Sequence, residues 1–137
     1  MSRRRNAARR LPPVGELELA VLEHLWTTGE TDVLAAHKAV GKRRGITPNT
    51  VGSALERLHR KGLASREKVS HAYRYQPVLT RDAFAARRML DAVGGSRTLS
   101  DTGLLSAFVD LVADEDQASL NRLEALIAEK RGAGSGT

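Results

Sequence analysis

The residues best suited to chemistry lie between positions 47 and 61. Asn49, Thr50 and Ser53, short and polar, are followed by the cations Arg57, Arg60 and Lys61. An Asn carboxamide donates and accepts at once, which suits bidentate pairing with adenine. Short hydroxyls suit base edges or a thymine methyl. Arginine and lysine, with the Thr47 hydroxyl, suit phosphate oxygens. Arg66, Lys68 and Arg74 extend the basic set a few residues further on. Such chemistry needs a rigid element that holds the short side chains in a groove and the cations along its rim.

The sequence supplies a helix for this. Thr47 is a good N-cap and Pro48 suits the first helical position. Val51, Ala54, Leu55 and Leu58 recur at i, i+3, i+4 and i+7, and Gly62 closes the helix. The face opposite that stripe holds Asn49, Ser53, Glu56 and Arg60, with Thr50, Gly52 and Arg57 on its flanks. The bland reading of such a helix is an amphipathic face that docks on a protein partner.

Two helices are expected before it. Residues 16–28 carry Leu17, Val21, Leu22, Leu25 and Trp26 at helical spacing, acids in the first turn, and Gly29 at the end. Trp26 is expected to anchor the core. A second helix, capped by Thr31 or Asp32, is expected to run to about Val40 with Val33, Ala36, His37 and Val40 as its stripe. Gly41 to Gly45 then reads as a turn bearing three adjacent cations. After the third helix the period changes to two. Residues 63–68 and 71–78 read as strands with a turn near Val69-Ser70. Tyr73 and Tyr75 share one face of the second strand and Arg74 faces the other way. Pro77 fits only near a strand end. Helix, helix, turn, helix, hairpin is the order of a winged helix-turn-helix, in which the last helix enters the major groove and the hairpin flanks the backbone.

Charge supports a polyanion partner. The 137 residues hold 22 Lys+Arg and 16 Asp+Glu, a net charge of +6. The imbalance is local: residues 1–80 carry +8 and residues 81–137 carry −2. Arg3, Arg4, Arg5, Arg9 and Arg10 precede Pro12-Pro13 without an intervening acid. Residues 1–13 therefore read as a flexible basic arm that can lie along phosphates or in a minor groove.

Residues 81–131 read as a helical dimerisation region. Arg81-Asp82 opens a helix with Phe84, Met89 and Val93 as anchors, and residues 94–103 read as a flexible linker. The stretch from Leu104 to Val112 is apolar on more than one side, which a short domain cannot bury alone. Asp114 with Gln117 resembles a capping box for a last helix striped by Leu120, Leu123, Leu126 and Ile127. Leu104, Leu105, Phe108, Val109, Val112, Leu120, Leu123 and Ile127 are the candidate dimer contacts. Residues 132–137 read as a flexible tail.

Several classes are excluded. With no Cys there is no disulfide, no thiolate metal site and no thiol nucleophile. The four His lack metal-ligand spacing, and His24 and His37 lie on or beside apolar stripes, as core histidines do. No phosphate loop, Walker motif or zinc-protease motif occurs. Apolar runs are too short to span a bilayer or serve as a signal peptide. The expectation is a cytoplasmic, non-enzymatic protein without cofactor, metal or small-molecule ligand. It is mainly α with a small β-wing: a winged helix-turn-helix over residues 14–80 followed by the helical region. Its expected function is sequence-specific binding to double-stranded DNA as a homodimer. The alternatives are a winged-helix protein-interaction module and a non-specific nucleic-acid binder.

Three motifs add a resemblance. Leu17-Glu18-Leu19-Ala20-Val21-Leu22-Glu23-His24-Leu25-Trp26, then Thr50-Val51 through Leu55, Arg57-Leu58 and Lys61-Gly62-Leu63, then Tyr73-Arg74-Tyr75-Gln76-Pro77-Val78, occur in that order. Over residues 14–131 the chain resembles the penicillinase-repressor family, the BlaI/MecI/CopY group of bacterial transcriptional repressors. The resemblance implies repression by a homodimer on a pseudo-palindromic operator, with dimer contacts from the C-terminal helices. It also implies a membrane sensor protease as a partner of some members. The chain departs from the pattern in three places. It lacks the Cys-rich motif of the copper-responsive branch. Ala107-Phe108 stands where sensor-cleaved members have Asn-Phe. Gly52 stands where many relatives place a larger residue, at a cost to the helix of up to about 1 kcal/mol relative to Ala.

Overall fold

A computed structural model describes residues 10–135 of the chain. Arg3, Arg4, Arg5 and Arg9 lie outside the described residues. The chain divides into two units, one through Ala92 and one from Val93.

The first unit begins with α1 (Glu16–Thr28). Glu18, three residues past the Gly15 N-cap, reaches back to accept the Gly15 amide at 2.8 Å. Gly29, at φ 86°, ends the helix and returns its N–H to the Leu25 carbonyl at 2.7 Å. Asp32, rather than Thr31, caps the second helix by accepting the Ala35 amide at 2.8 Å. That helix, α2, runs further than expected, over residues 33–44. It comprises an α-turn Val33–Ala36, a π-helical stretch His37–Gly41 and a last α-turn Lys42–Arg44. The three cations thus sit on helix, and the turn shrinks to Gly45, at φ 67°, and its neighbours.

Gly41, the last residue of the π-helical stretch, leaves no room for a side chain. A Cβ built there would lie 2.6 Å from the His37 ring and 2.9 Å from the Val51 side chain. Both neighbours are fixed: Val51 is fully buried, and His37 Nε2 donates to the Ile46 carbonyl at 2.9 Å. Only glycine lets α2 approach the next helix this closely. At Gly52 a Cβ would meet the Val33 methyls at 3.5 Å, an ordinary contact. Gly41→Ala is therefore expected to destabilise by about 1–3 kcal/mol through overpacking. Gly52→Ala is expected to stabilise by about 0.5–1 kcal/mol through helix propensity. Urea unfolding of the two variants side by side checks both; a shift of the same sign in each would contradict this packing.

α3 (Pro48–Arg60) begins at Thr47, whose hydroxyl accepts the Thr50 amide at 3.2 Å. Its stripe of Val51, Ala54, Leu55 and Leu58 is fully buried against Val21, Leu22 and Leu25 of α1. Each such leucine contributes roughly 1.5–3 kcal/mol relative to an exposed one. β1 (Ala64–Val69) and β2 (Ala72–Pro77) pair antiparallel from Ala64↔Pro77 to Val69↔Ala72. The two-residue turn is Ser70-His71, one residue later than expected, with Ser70 at φ 59°. Thr31 also joins β2. Its N–H donates to the Tyr75 carbonyl at 3.0 Å, and its carbonyl accepts the Tyr75 N–H at 2.8 Å.

α4 (Arg81–Ala92) belongs with this first unit rather than with the C-terminal helices. Phe84 is its buried anchor, packed on Trp26 at 5.3 Å between ring centroids. Met89 and Val93, expected as anchors, are exposed, because only the first turns of α4 reach the core. Trp26 is half-buried at this junction and donates through Nε1 to the Leu79 carbonyl at 2.8 Å. The end of the expected arm is docked, not free. Arg10 donates to the Asp91 carbonyl and the Leu11 amide to the Asp91 carboxylate, both at 2.8 Å.

In the second unit, the expected linker contains a 3-10 helix (Ser96–Ser100) behind Gly94 and Gly95, both at positive φ. α5 (Thr102–Glu115) is capped by Asp101, which accepts the Leu104 amide at 3.1 Å. α6 (Gln117–Ser135) packs along α5. Its cap is Asp116, which accepts from the Ser119 amide and hydroxyl, not Asp114, because α5 extends through Glu115. No side chain described in this unit is buried. No helix among the described residues is long and apolar enough to cross a membrane. No cluster of metal-binding side chains occurs among them.

Candidate nucleic-acid interface

The outward face of α3 lines an open groove of about 690 Å³ with Asn49, Gly52, Ser53, Glu56, Arg57 and Arg60, closed on one side by Val33 and Pro48. The helix stands firmly because its opposite face is the core. The Asn49 and Ser53 side chains are exposed and make no hydrogen bond among the described residues, so their donors and acceptors face outward unspent. Thr50 is exposed too, with its hydroxyl 3.1 Å from that of Thr47. The expected base-reading trio therefore shares one helix end.

The expected phosphate ligands divide into two groups. Arg60, with its side chain 72% exposed, is held among the described residues only by a 3.8 Å pair with Glu56. Lys68 is exposed and makes no ion pair among the described residues, and Arg74 lies on the outer side of β2, 3.4 Å from Glu30. These project from α3 and the hairpin. Arg57, Lys61 and Arg66 instead hold carboxylates of the protein itself. Lys61 Nζ donates to both oxygens of Glu18 at 2.7 and 3.0 Å and to the Pro13 carbonyl at 2.6 Å. Arg57 Nε donates to Glu18 at 3.1 Å. Burial by itself pushes the Glu18 carboxyl up, but hydrogen bonds from Lys61, Gly15 and Arg57 outweigh it and hold the group below its ordinary value of 4.5. Arg66 pairs with Glu56 and lies 4.1 Å over the Tyr73 ring. Of the basic arm, only Arg10 is described, and it is tied to α4.

Glu18, Glu56, Thr31 and Tyr75 were not singled out as functional by spacing. Glu18 is legible as a first-turn acid, but its partners lie 39 and 43 residues away. Burial pushes the Tyr75 hydroxyl up, further from ionisation, so it remains a donor beside Glu56. His24 sits against the Thr31 hydroxyl at 2.9 Å and its pKa is lowered by burial, as befits a core histidine.

In the second unit, Leu104, Leu105, Phe108, Val109 and Ile127 are exposed, whereas Val112, Leu120 and Leu123 are half-buried in the contact between α5 and α6. Ala107-Phe108 lies within the helical turns of α5.

Three packed helices, the third capped and facing outward, and a two-stranded wing define a winged helix-turn-helix. The family model for the penicillinase repressor matches residues 14–129, and the chain belongs to that family of DNA-binding transcriptional repressors, which are not enzymes. The transcriptional regulator BlaI of Mycobacterium tuberculosis is 35% identical over 115 residues, covering 82% of this chain and 83% of that protein. Among solved structures, the DNA-binding domain of the repressor BlaI aligns with TM-score 0.48 at 23% identity, over 53% of this chain and 89% of that one. The YusO protein from Bacillus subtilis aligns with TM-score 0.44 at 17% identity, over 85% and 75% of the two chains.

Proposed function

We propose that this repressor acts in the cytoplasm as a homodimer that sets α3 of each copy into a major groove of a pseudo-palindromic operator. The outward face of α3 carries the reading: Asn49 and Ser53 stand exposed with unspent hydrogen-bonding groups, and Arg60 stands beside them. Asn49, Thr50 and Ser53 read bases. Thr47, Arg60, Lys68 and Arg74 hold phosphates, and Arg57, Lys61 and Arg66 add positive potential while serving their internal carboxylates. The rest of the basic arm, Arg3, Arg4, Arg5 and Arg9, adds phosphate contacts. The exposed apolar side chains of α5 and α6 support pairing with a second copy, since a dimer supplies the second half-site reader.

The test compares the duplex upstream of the protein's own coding sequence with a scrambled duplex at two salt concentrations. Asn49→Ala is expected to cost about 1–3 kcal/mol on the native duplex and little on the scrambled one. Arg60→Ala is expected to weaken both and reduce the salt slope by about one. Equal losses on both duplexes from Asn49→Ala would remove the base-reading role. Absence of binding to either duplex at low salt would remove the whole reading.

A further inference from the structure

One carboxylate stands on the face formed by Asn49, Ser53 and Arg60. Glu56 is half-buried and lines the same groove. Phosphates repel a carboxylate, so on a DNA-facing surface it weakens binding to every sequence alike. Its partners explain what it does there. It forms an ion pair with Arg66 of β1, lies 3.8 Å from Arg60, and accepts from the Tyr75 hydroxyl at 3.5 Å. The Tyr73 ring covers Arg66, leaving its side chain 24% exposed. Tyr75 is buried and its backbone is locked to Thr31 by two hydrogen bonds. The wing is thus fastened to α3 through a carboxylate that occupies the wing cation Arg66.

We propose that Glu56 is a specificity-determining residue. It withholds Arg66, and partly Arg60, from DNA phosphates, so that binding to arbitrary sequence stays weak and affinity must come from base contacts. This inference rests on the DNA-binding reading above. The arithmetic is electrostatic: each phosphate neutralised adds about 0.9 to the salt slope. A cation held by Glu56 is a phosphate contact forgone on every sequence.

The experiment titrates the full chain with a mixed-sequence duplex, long enough for two half-sites, across a salt series. Wild type, Glu56→Ala, Glu56→Gln, Arg66→Ala and the double variant Glu56→Ala with Arg66→Ala are compared, with thermal unfolding of each. Glu56→Ala is expected to bind several-fold tighter, with a salt slope steeper by about one. Glu56→Gln, which keeps the side-chain shape, should shift the same way. Arg66→Ala should lose less affinity than Arg60→Ala, because Glu56 already holds its charge, and the double variant should bind more weakly than Glu56→Ala. Unchanged affinity and slope in both Glu56 variants would overturn the proposal. So would full gain in the double variant, or a loss in Arg66→Ala as large as in Arg60→Ala. Wild type failing to bind any duplex at low salt would instead sink the DNA-binding reading, before a variant is compared.

Discussion

Glu18→Ala is expected to cost the winged unit about 2–4 kcal/mol of stability. Glu18 is 4% exposed, and its two oxygens take Lys61, Arg57 and the Gly15 amide. Removing it leaves Lys61, with a side chain only 27% exposed, facing the Pro13 carbonyl without its counter-charge. It also removes the acid that completes the start of α1. Arg57 is 46% exposed and recovers water, which keeps the loss below that of a fully buried pair. Urea unfolding measures the effect; a loss under about 1 kcal/mol would reduce the triad to a surface ion pair.

The same carboxylate sets a pH signature. Its folded pKa lies below the ordinary 4.5, so on acidification the unfolded chain takes up the proton first. The stabilisation is complete above that value and is lost as pH falls through and below it. His24 acts earlier in the same direction: burial lowers its pKa from 6.5, so the unfolded chain protonates first there too. Wild-type stability should decline gently below pH 6.5 and more steeply below 4.5. Glu18→Ala should flatten the second stage alone. A steep stage retained in the variant would assign it to other carboxylates.

Phe108→Asp is expected to convert a two-chain species into single chains. Leu104, Leu105, Phe108 and Val109 recur at i, i+1, i+4 and i+5 on α5, all more than a third exposed, and nothing described in that unit is buried. An apolar helix face of this kind needs a cover, and in the proposed homodimer the second copy supplies it together with a second reading helix. An aspartate there costs the isolated chain little, since the site already faces water. It sets unpaired charge into an assembled interface. Sedimentation should show the mass halve. Affinity for a duplex with two half-sites should drop by about 10²–10⁴-fold as the advantage of linked binding is lost. Melting of the winged unit should barely move. A variant that still sediments as two chains, or a wild type that sediments as one, would place the dimer contacts elsewhere or nowhere.

Periodicity, caps and charge made most of the helical frame legible. The α3 stripe is buried residue for residue, Thr47 and Pro48 start that helix, and the tyrosines share a strand face. These signals are local, arising from neighbours within a turn or a pleat, and local order survives in the sequence string. Where several local endings were possible, the string did not choose. Asp32 won over Thr31 as a cap because Thr31 pairs with β2, and α2 runs past its expected end through Gly41, which packs against Val51 without a Cβ. The sequence also listed every cation of the interface but not its allegiance. Arg57 and Lys61 turn to an acid 39 and 43 residues away, and Arg66 turns to Glu56 across the wing. A cation goes to the carboxylate that packing brings within hydrogen-bond reach and out of water, where attraction is strongest. That proximity exists only once α1, α3 and the hairpin close on one core.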